Sequence, residues 1–293
     1  MALGTQTKAA PMTLRWKAGT AFHVKQCCII DGADLTVRSL KYRYETTSSA
    51  RQPKLPMNAQ GQAILAHLET VAAERRSRAA DALLAERVRE IKRLQHARFE
   101  RSYADLLAQP RYAKSARFFL EELYGPADFS ARDGQFARVV PAMVRMFPQE
   151  IVCTVANLAE LHALSEVLDT AMGWAIAAPA RALGADLYGQ AWREVGRAPD
   201  RERQIALMLA VGSDLERYTG RALLRHSLRL MRGPATAAGL GSLQRFLETG
   251  FDTFREMRGA ELFLRTIAER ERALAAQLFC ANATPPQSET PSA

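Results

Sequence analysis

An all-α fold is predicted by three features of this sequence. The first is the stretch from Asn58 to Leu107, which has no proline, one glycine (Gly61) and an abundance of Ala, Leu, Glu and Arg, all good helix formers. Another is the segment from Gln149 to Ala177, where Val152, Leu158, Leu161, Leu164, Val167, Leu168, Met172 and Trp174 point in almost every direction at 100° per residue. A helix apolar all round belongs at the centre of a domain. Finally, strand-like alternation is confined to Asp34–Tyr44, and no repeat and no second, strand-bearing domain is seen.

Taken in order, residues 1–56 read as a basic, mostly disordered extension, with isolated apolar residues among Thr, Ser, Lys and Pro. Met57 opens the first helical pattern, so one expectation is that translation starts there and the leader is not native. In Asn58–Leu107 the residues Ile64, Leu68 and Val71, then Leu84, Val88, Ile91 and Leu94, mark a buried stripe. As one helix it would be about 75 Å long, against about 45 Å for a compact domain of this size. It should therefore break, best near Arg75–Asp81 where ERRSR interrupts the stripe, or project as an arm.

Next comes a corner. Tyr112, Ala116, Phe119, Leu120 and Leu123 recur at helical spacing, Gly125 and Pro126 stop the helix, and Ser130 with Asp133 resembles a capping box. Phe118, Phe119 and Tyr124 read as core aromatics, and Arg132 and Asp133 as a local ion pair. The string FFLEELYGPADFSARDGQFARVVPAMVRMFP, followed by LAELHALSEVLD, resembles a family of uncharacterised all-helical bacterial proteins that share an FFL-x-x-LYGP-x-DF-x-x-RD pattern. The likeness centres on Arg111–Met172. It implies a helical fold and a soluble bacterial protein, and it carries over no catalytic residue.

Beyond the corner, Pro141 kinks its helix or opens the next, and Pro148 precedes the central helix. A shorter helix with Leu183, Leu187, Tyr188 and Trp192 leads to a loop at Gly196–Pro199. Asp200 is expected to cap a helix that falters at Gly212-Ser213-Asp214 and continues to Met231. Gly233–Gly241 reads as a loop, Leu243–Met257 and Ala260–Phe279 as the last helices, and Ala281–Ala293 as a disordered tail. The expected whole is a single bundle-like domain over residues 57–280, of eight or nine helices around the central one.

The formal charge is +9, which first suggests nucleic acid. Residues 1–56, however, hold nine Lys and Arg against three acids, net +6, leaving 31 against 28, net +3, for the rest. A nearly neutral folded part makes nucleic acid an unlikely partner. The four cysteines, Cys27, Cys28, Cys153 and Cys280, form no CxxC and no zinc spacing, which fits a reducing cytoplasm. No run of about 18 apolar residues marks a membrane span, and Lys25 and Gln26 interrupt the only candidate secretory core.

Chemistry has one leading candidate. His162, Glu166 and Asp169, spaced i, i+4, i+7, share a side of the central helix with Ile151, Val155 and Leu158. Such a line is a satisfied core network or a cofactor-binding cleft. The second candidate is the row Arg217, Arg221, Arg225, Arg229 and Arg232, opposite Leu223, Leu230 and Met231, which reads as a solvated face or as a site for anions or a protein partner. No metal site and no cofactor is expected: ExxH pairs, HExxH, Walker, GxGxxG and GxSxG patterns are absent, and haem would rest on His162 or His226 alone. The reading is a non-enzymatic interaction or regulatory protein that binds a partner or itself through its helices. The alternative is a small-molecule or cofactor (metal or haem) binder, or an enzyme, with a pocket near His162, Glu166 and Asp169.

Overall fold

The helix that begins at Met57 cannot keep its direction past Arg78, because the sequence there supplies a stop and a new cap. α1 (Met57–Ala80) ends, and the Asp81 carboxylate accepts from the Leu83 amide at 2.9 Å and the Leu84 amide at 3.0 Å, opening α2 (Ala82–Ser102). The expected break is thus at Asp81. These helices belong to a computed structural model that describes residues 57–123, 129–176 and 183–280. The basic extension, its Cys27 and Cys28, the Tyr124-Gly125-Pro126 stop, the tail after Cys280, and the side chains of Leu123 and Leu223 lie outside the described residues.

Among the described residues there are twelve α-helices and no strand, more elements than expected because several are single turns. After α2 come α3 (Ala104–Ala108), α4 (Ala113–Phe118) and a π-helical turn at Phe119–Leu123, then α5 (Ser130–Met146) and α6 (Gln149–Ala175). α7 (Ala185–Val195), α8 (Ala198–Thr219), α9 (Ala222–Leu230), α10 (Arg232–Ala237), α11 (Gly241–Met257) and α12 (Glu261–Cys280) complete the chain. α6 is the hub, touching α1, α2, α5, α7 and α8. By length and hydropathy α6 is also apolar enough to cross a membrane, which corrects the expectation that no such segment exists.

α1 and α6 form the largest contact in the molecule, and the reason is visible in their spacing. Ile64, Leu68, Val71, Arg75 and Arg78 follow a three-four repeat on α1, and Val152, Val155, Ala159, His162, Glu166, Asp169 and Gly173 follow one on α6. Hydrogen-bonded pairs climb both helices together, Gln60 with Cys153 and Arg78 with Glu166, so the helices run parallel. The seam is apolar at one end, where Ile64, Leu68, Val152 and Ala159 pack with Val140, Met143 and Val144 of α5. It turns charged at the other end.

A second core gathers aromatics from across the chain. Phe119 meets Phe254 at 6.1 Å between ring centroids and Phe263 edge-on at 5.4 Å, while Phe118 stacks on Phe246 at 5.5 Å. These are the two phenylalanines of the FFLEEL stretch, and both are buried.

Several local expectations are corrected. The residue before α5 is Phe129, whose side chain makes no cap, and the Asp133 carboxylate turns to α1 and α6. Arg132 makes its ion pair with Glu122 at 2.7 Å and lies between the Phe129 and Phe246 rings, so it acts on Asp133 through its charge and not as the expected ion pair. Pro141 sits inside α5. The turn before α8 is made by Gly196 and Arg197, both left-handed, and Asp200 falls in the first turn with Arg197 Nε at 2.6 Å. Of Gly233–Gly241, expected as loop, residues 233–237 belong to α10.

The helix also does not falter at Gly212; it ends at Gly220. Gly212 is instead where α8 approaches α12, for a Cβ there would lie 2.5 Å from Cδ2 of the buried Leu264. Gly212→Val should therefore cost roughly 1–3 kcal/mol through overpacking, read as a lower urea midpoint. An unchanged midpoint would contradict this close approach.

Candidate functional site

The charged end of the α1–α6 seam holds the three residues singled out on α6. Glu166 is 4% exposed and sits between two cations: its Oε2 accepts from Arg78 Nη2 at 2.5 Å and its Oε1 from Lys92 Nζ at 2.9 Å. Arg75 Nη2 stands 3.8 Å from the same Oε1. Arg78 is itself buried, and its second nitrogen donates to Thr170 Oγ1 at 2.9 Å and to the Glu166 carbonyl at 3.5 Å. Asp169, one turn on, accepts from Gln95 Nε2 at 3.0 Å and has Lys92 Nζ at 3.9 Å. His162 lies at the rim, its Nε2 3.0 Å from Asp133 Oδ2, a carboxylate that also takes Arg75 Nη1 at 2.8 Å.

The elements that carry these groups explain their convergence. Arg75 and Arg78 are three apart on α1, Lys92 and Gln95 three apart on α2, and each pair shares a helical face turned to α6. Asp133 reaches in from the first turn of α5. One network thus ties four helices together.

Electrostatics hold two of the carboxyls down and push the third up. Burial pushes Glu166 up, but the charges of Lys92 and Arg78 outweigh it and hold the carboxyl down at about 2. Asp133 is likewise held below its ordinary value, where burial is overcome by the hydrogen bond from His162 and by the charges of His162, Arg75 and Arg132. Asp169 goes the other way: its burial raises it, against the opposing charge of Lys92. At neutral pH Glu166 is an ionised acceptor with both oxygens engaged, which suits a structural clamp better than a general acid.

For metal chemistry the donor set is poor. Among the described residues no three His, Cys, Asp or Glu side chains are grouped to hold a metal ion, and the neighbours of His162 and Glu166 are chiefly cations. His226 is exposed on α9, a different helix from His162. Cys153 Sγ accepts from Gln60 Nε2 at 2.9 Å, and Cys280 is exposed at the end of α12.

The arginine row is divided by the turn at Gly220, and its members face acids. Arg217 pairs with Asp214 at 2.6 Å, Arg221 with Glu150 at 3.7 Å, Arg225 and Arg229 with Asp252 at 3.1 and 3.6 Å, and Arg232 with Glu248 at 2.7 Å. Opposite them, Leu230 is 78% and Met231 49% exposed. A groove of about 340 Å³ lined by Arg225, Asp252, Arg255, Glu256 and Arg258 lies between α9 and α11.

Sequence reasoning missed the partners: Arg75, Arg78, Lys92 and Asp133. A signal was present for two of them, since Arg75 and Arg78 continue the three-four spacing of Ile64, Leu68 and Val71. Charged residues on an apolar register imply charged residues opposite.

Among known proteins, no curated protein and no solved structure matches the chain. A family model does, from residue 74 to residue 285, a span that begins just before Arg75 and takes in the whole ion network. That family is described as a domain of unknown function, DUF8198, and the chain belongs to it.

Proposed function

We propose that this is a non-enzymatic interaction protein that takes an acidic, amphipathic helix of a partner against α9. The observation that carries the reading is α9 itself: its leucines and arginines segregate by face, yet none of its described side chains is buried and Leu230 is 78% exposed. A helix with an apolar stripe outside the core calls for a partner to cover it. Met231 at the C-terminal end of α9 and Leu247 of α11, a helix in contact with α9, are 49% and 41% exposed as well.

Charge favours an acidic occupant. Arg221, Arg225, Arg229, Arg232, Arg255 and Arg258 rim this corner against Glu150, Glu248, Asp252 and Glu256, and Glu256 is shared with Lys114. The excess of cations supplies steering and selects against basic partners. The alternative, a cofactor pocket at His162, Glu166 and Asp169, is less well supported, because Glu166 and Asp169 are buried and already engaged by Arg78, Lys92 and Gln95.

A photo-crosslinking residue placed at Leu230 in producing cells tests this. One discrete adduct with a different, acidic protein is expected, lost when Met231→Glu and Leu247→Glu are added while the melting temperature stays within a few degrees. The absence of any adduct, or one between two copies of this chain, contradicts the proposal.

A further inference from the structure

Away from α9, one buried cation has two nitrogens with no acceptor among the described residues. Arg201 lies in the second turn of α8 and is 5% exposed. Its guanidinium carbon sits 3.8 Å from the centre of the Trp192 ring on α7, so one face is occupied by the indole. Among the described residues, its Nε and Nη2 are buried and have no hydrogen-bond partner. Those two nitrogens form the side-on edge of a guanidinium, the edge that makes two parallel hydrogen bonds to a carboxylate or a phosphate. The Trp192 Nε1 donor is buried without a partner too.

The surroundings do not supply the missing acceptor. Tyr188 is the foremost electrostatic partner of Arg201, but its hydroxyl is hydrogen-bonded with Gln95 and makes no hydrogen bond to Nε or Nη2. Asp169 comes next, and its carboxylate is engaged by Gln95 at 3.0 Å and by Lys92 at 3.9 Å. Asp200 is taken by Arg197. Counted together, Arg75, Arg78, Lys92 and Arg201 face Asp133, Glu166 and Asp169, four cations against three carboxyls. Burial moreover raises Asp169, which weakens the negative charge it offers Arg201. A buried guanidinium with unmet donors is costly, and an acceptor that met them would stabilise the fold.

We infer that the free edge of Arg201 is a binding site for a compact oxyanion, a phosphate, a sulfate or a small carboxylate, held between α7 and α8 beside Trp192. Both nitrogens are closed to solvent, so the anion is small and is taken up with the packing of these helices. This site is independent of α9 and of any protein partner.

The test is thermal unfolding of the full chain in a zwitterionic buffer, titrated with sodium phosphate, sulfate or acetate at constant ionic strength set with sodium chloride. The wild type should gain roughly 5 °C, saturably, in at least one of the three. Phosphate and sulfate without acetate would mark a phosphoryl-type ligand, acetate a carboxylate. Arg201→Met should lose the saturable gain and, with no oxyanion added, be at least as stable as the wild type. Equal anion dependence in both proteins, or none in either, overturns the inference and leaves the edge of Arg201 wet or empty. Should the variant fail to fold, Trp192 emission in a Trp16→Phe, Trp174→Phe background gives a second reading. A saturable change with the oxyanion supports the site, and no change overturns it.

Discussion

Replacing Glu166 by glutamine is expected to destabilise the protein by about 3–5 kcal/mol, because it leaves two buried or half-buried cations, Arg78 and Lys92, without their shared anion. In a domain of this size that is a fall of roughly 10 °C in Tm. The effect should depend on pH in a definite direction. Glu166 ordinarily titrates at 4.5 and is held at about 2 in the fold. Its stabilisation is therefore complete above about pH 4.5 and is lost as the pH falls from there through about 2. The difference, at about 1.4 kcal/mol for each pH unit, is about 3 kcal/mol, in line with the loss expected from substitution. Asp133, also held low, adds an acid-labile contribution of the same sign. Denaturant titrations from pH 7 to pH 3 should show the wild type losing stability more steeply than Glu166→Gln. Parallel curves would mean that Glu166 does not feel its cations.

Phe263→Ala should produce a loss of similar size, about 3–5 kcal/mol. Phe263 is fully buried on α12, stacked 5.9 Å from Tyr112 and met edge-on by Phe119. Removing the ring opens a cavity where three distant segments of chain meet, and the rigid aromatic neighbours cannot collapse into it. Phe263→Leu keeps much of the volume and should recover more than half of the loss. Urea melts of the two variants give the comparison directly. If alanine costs no more than leucine, the aromatic cluster is not the keystone of this core.

How far the molecule could be read from its sequence depended on the range of the interaction concerned. The break near Asp81 was legible because ERRSR interrupts the apolar stripe and one unbroken helix would outrun the domain. The Asp81 cap that makes it, with acceptor and amides two and three residues apart, is equally local. The central place of α6 was legible because its residues are apolar in all directions. Gly212 misled because a glycine within a helical pattern reads as weakness, whereas here it allows α8 to approach Leu264 on a helix far away in sequence. Asp133 misled for the same reason: a carboxylate three residues after a serine looks like half of a local box, but Arg75 and His162 offered it charge. In the candidate site, His162, Glu166 and Asp169 were found because their spacing is written on one helix. Of their cations, Arg75 and Arg78 were marked only by continuing the apolar register of α1, which names no partner, and Arg201 carries no signal until α7 and α8 are packed.

The central structural claim is that the charges on the inner face of α6 are spent on holding the bundle together, leaving recognition to its outside. The titration of the Glu166 side-chain carboxyl, followed by carbon-detected NMR in the wild type, tests it most directly. A carboxyl that titrates at about 2 is the result expected of an anion clasped by Arg78 and Lys92. A value at or above 4.5, the ordinary one for glutamate, would show a carboxyl free of its cations and would return Glu166 to the list of groups available for chemistry.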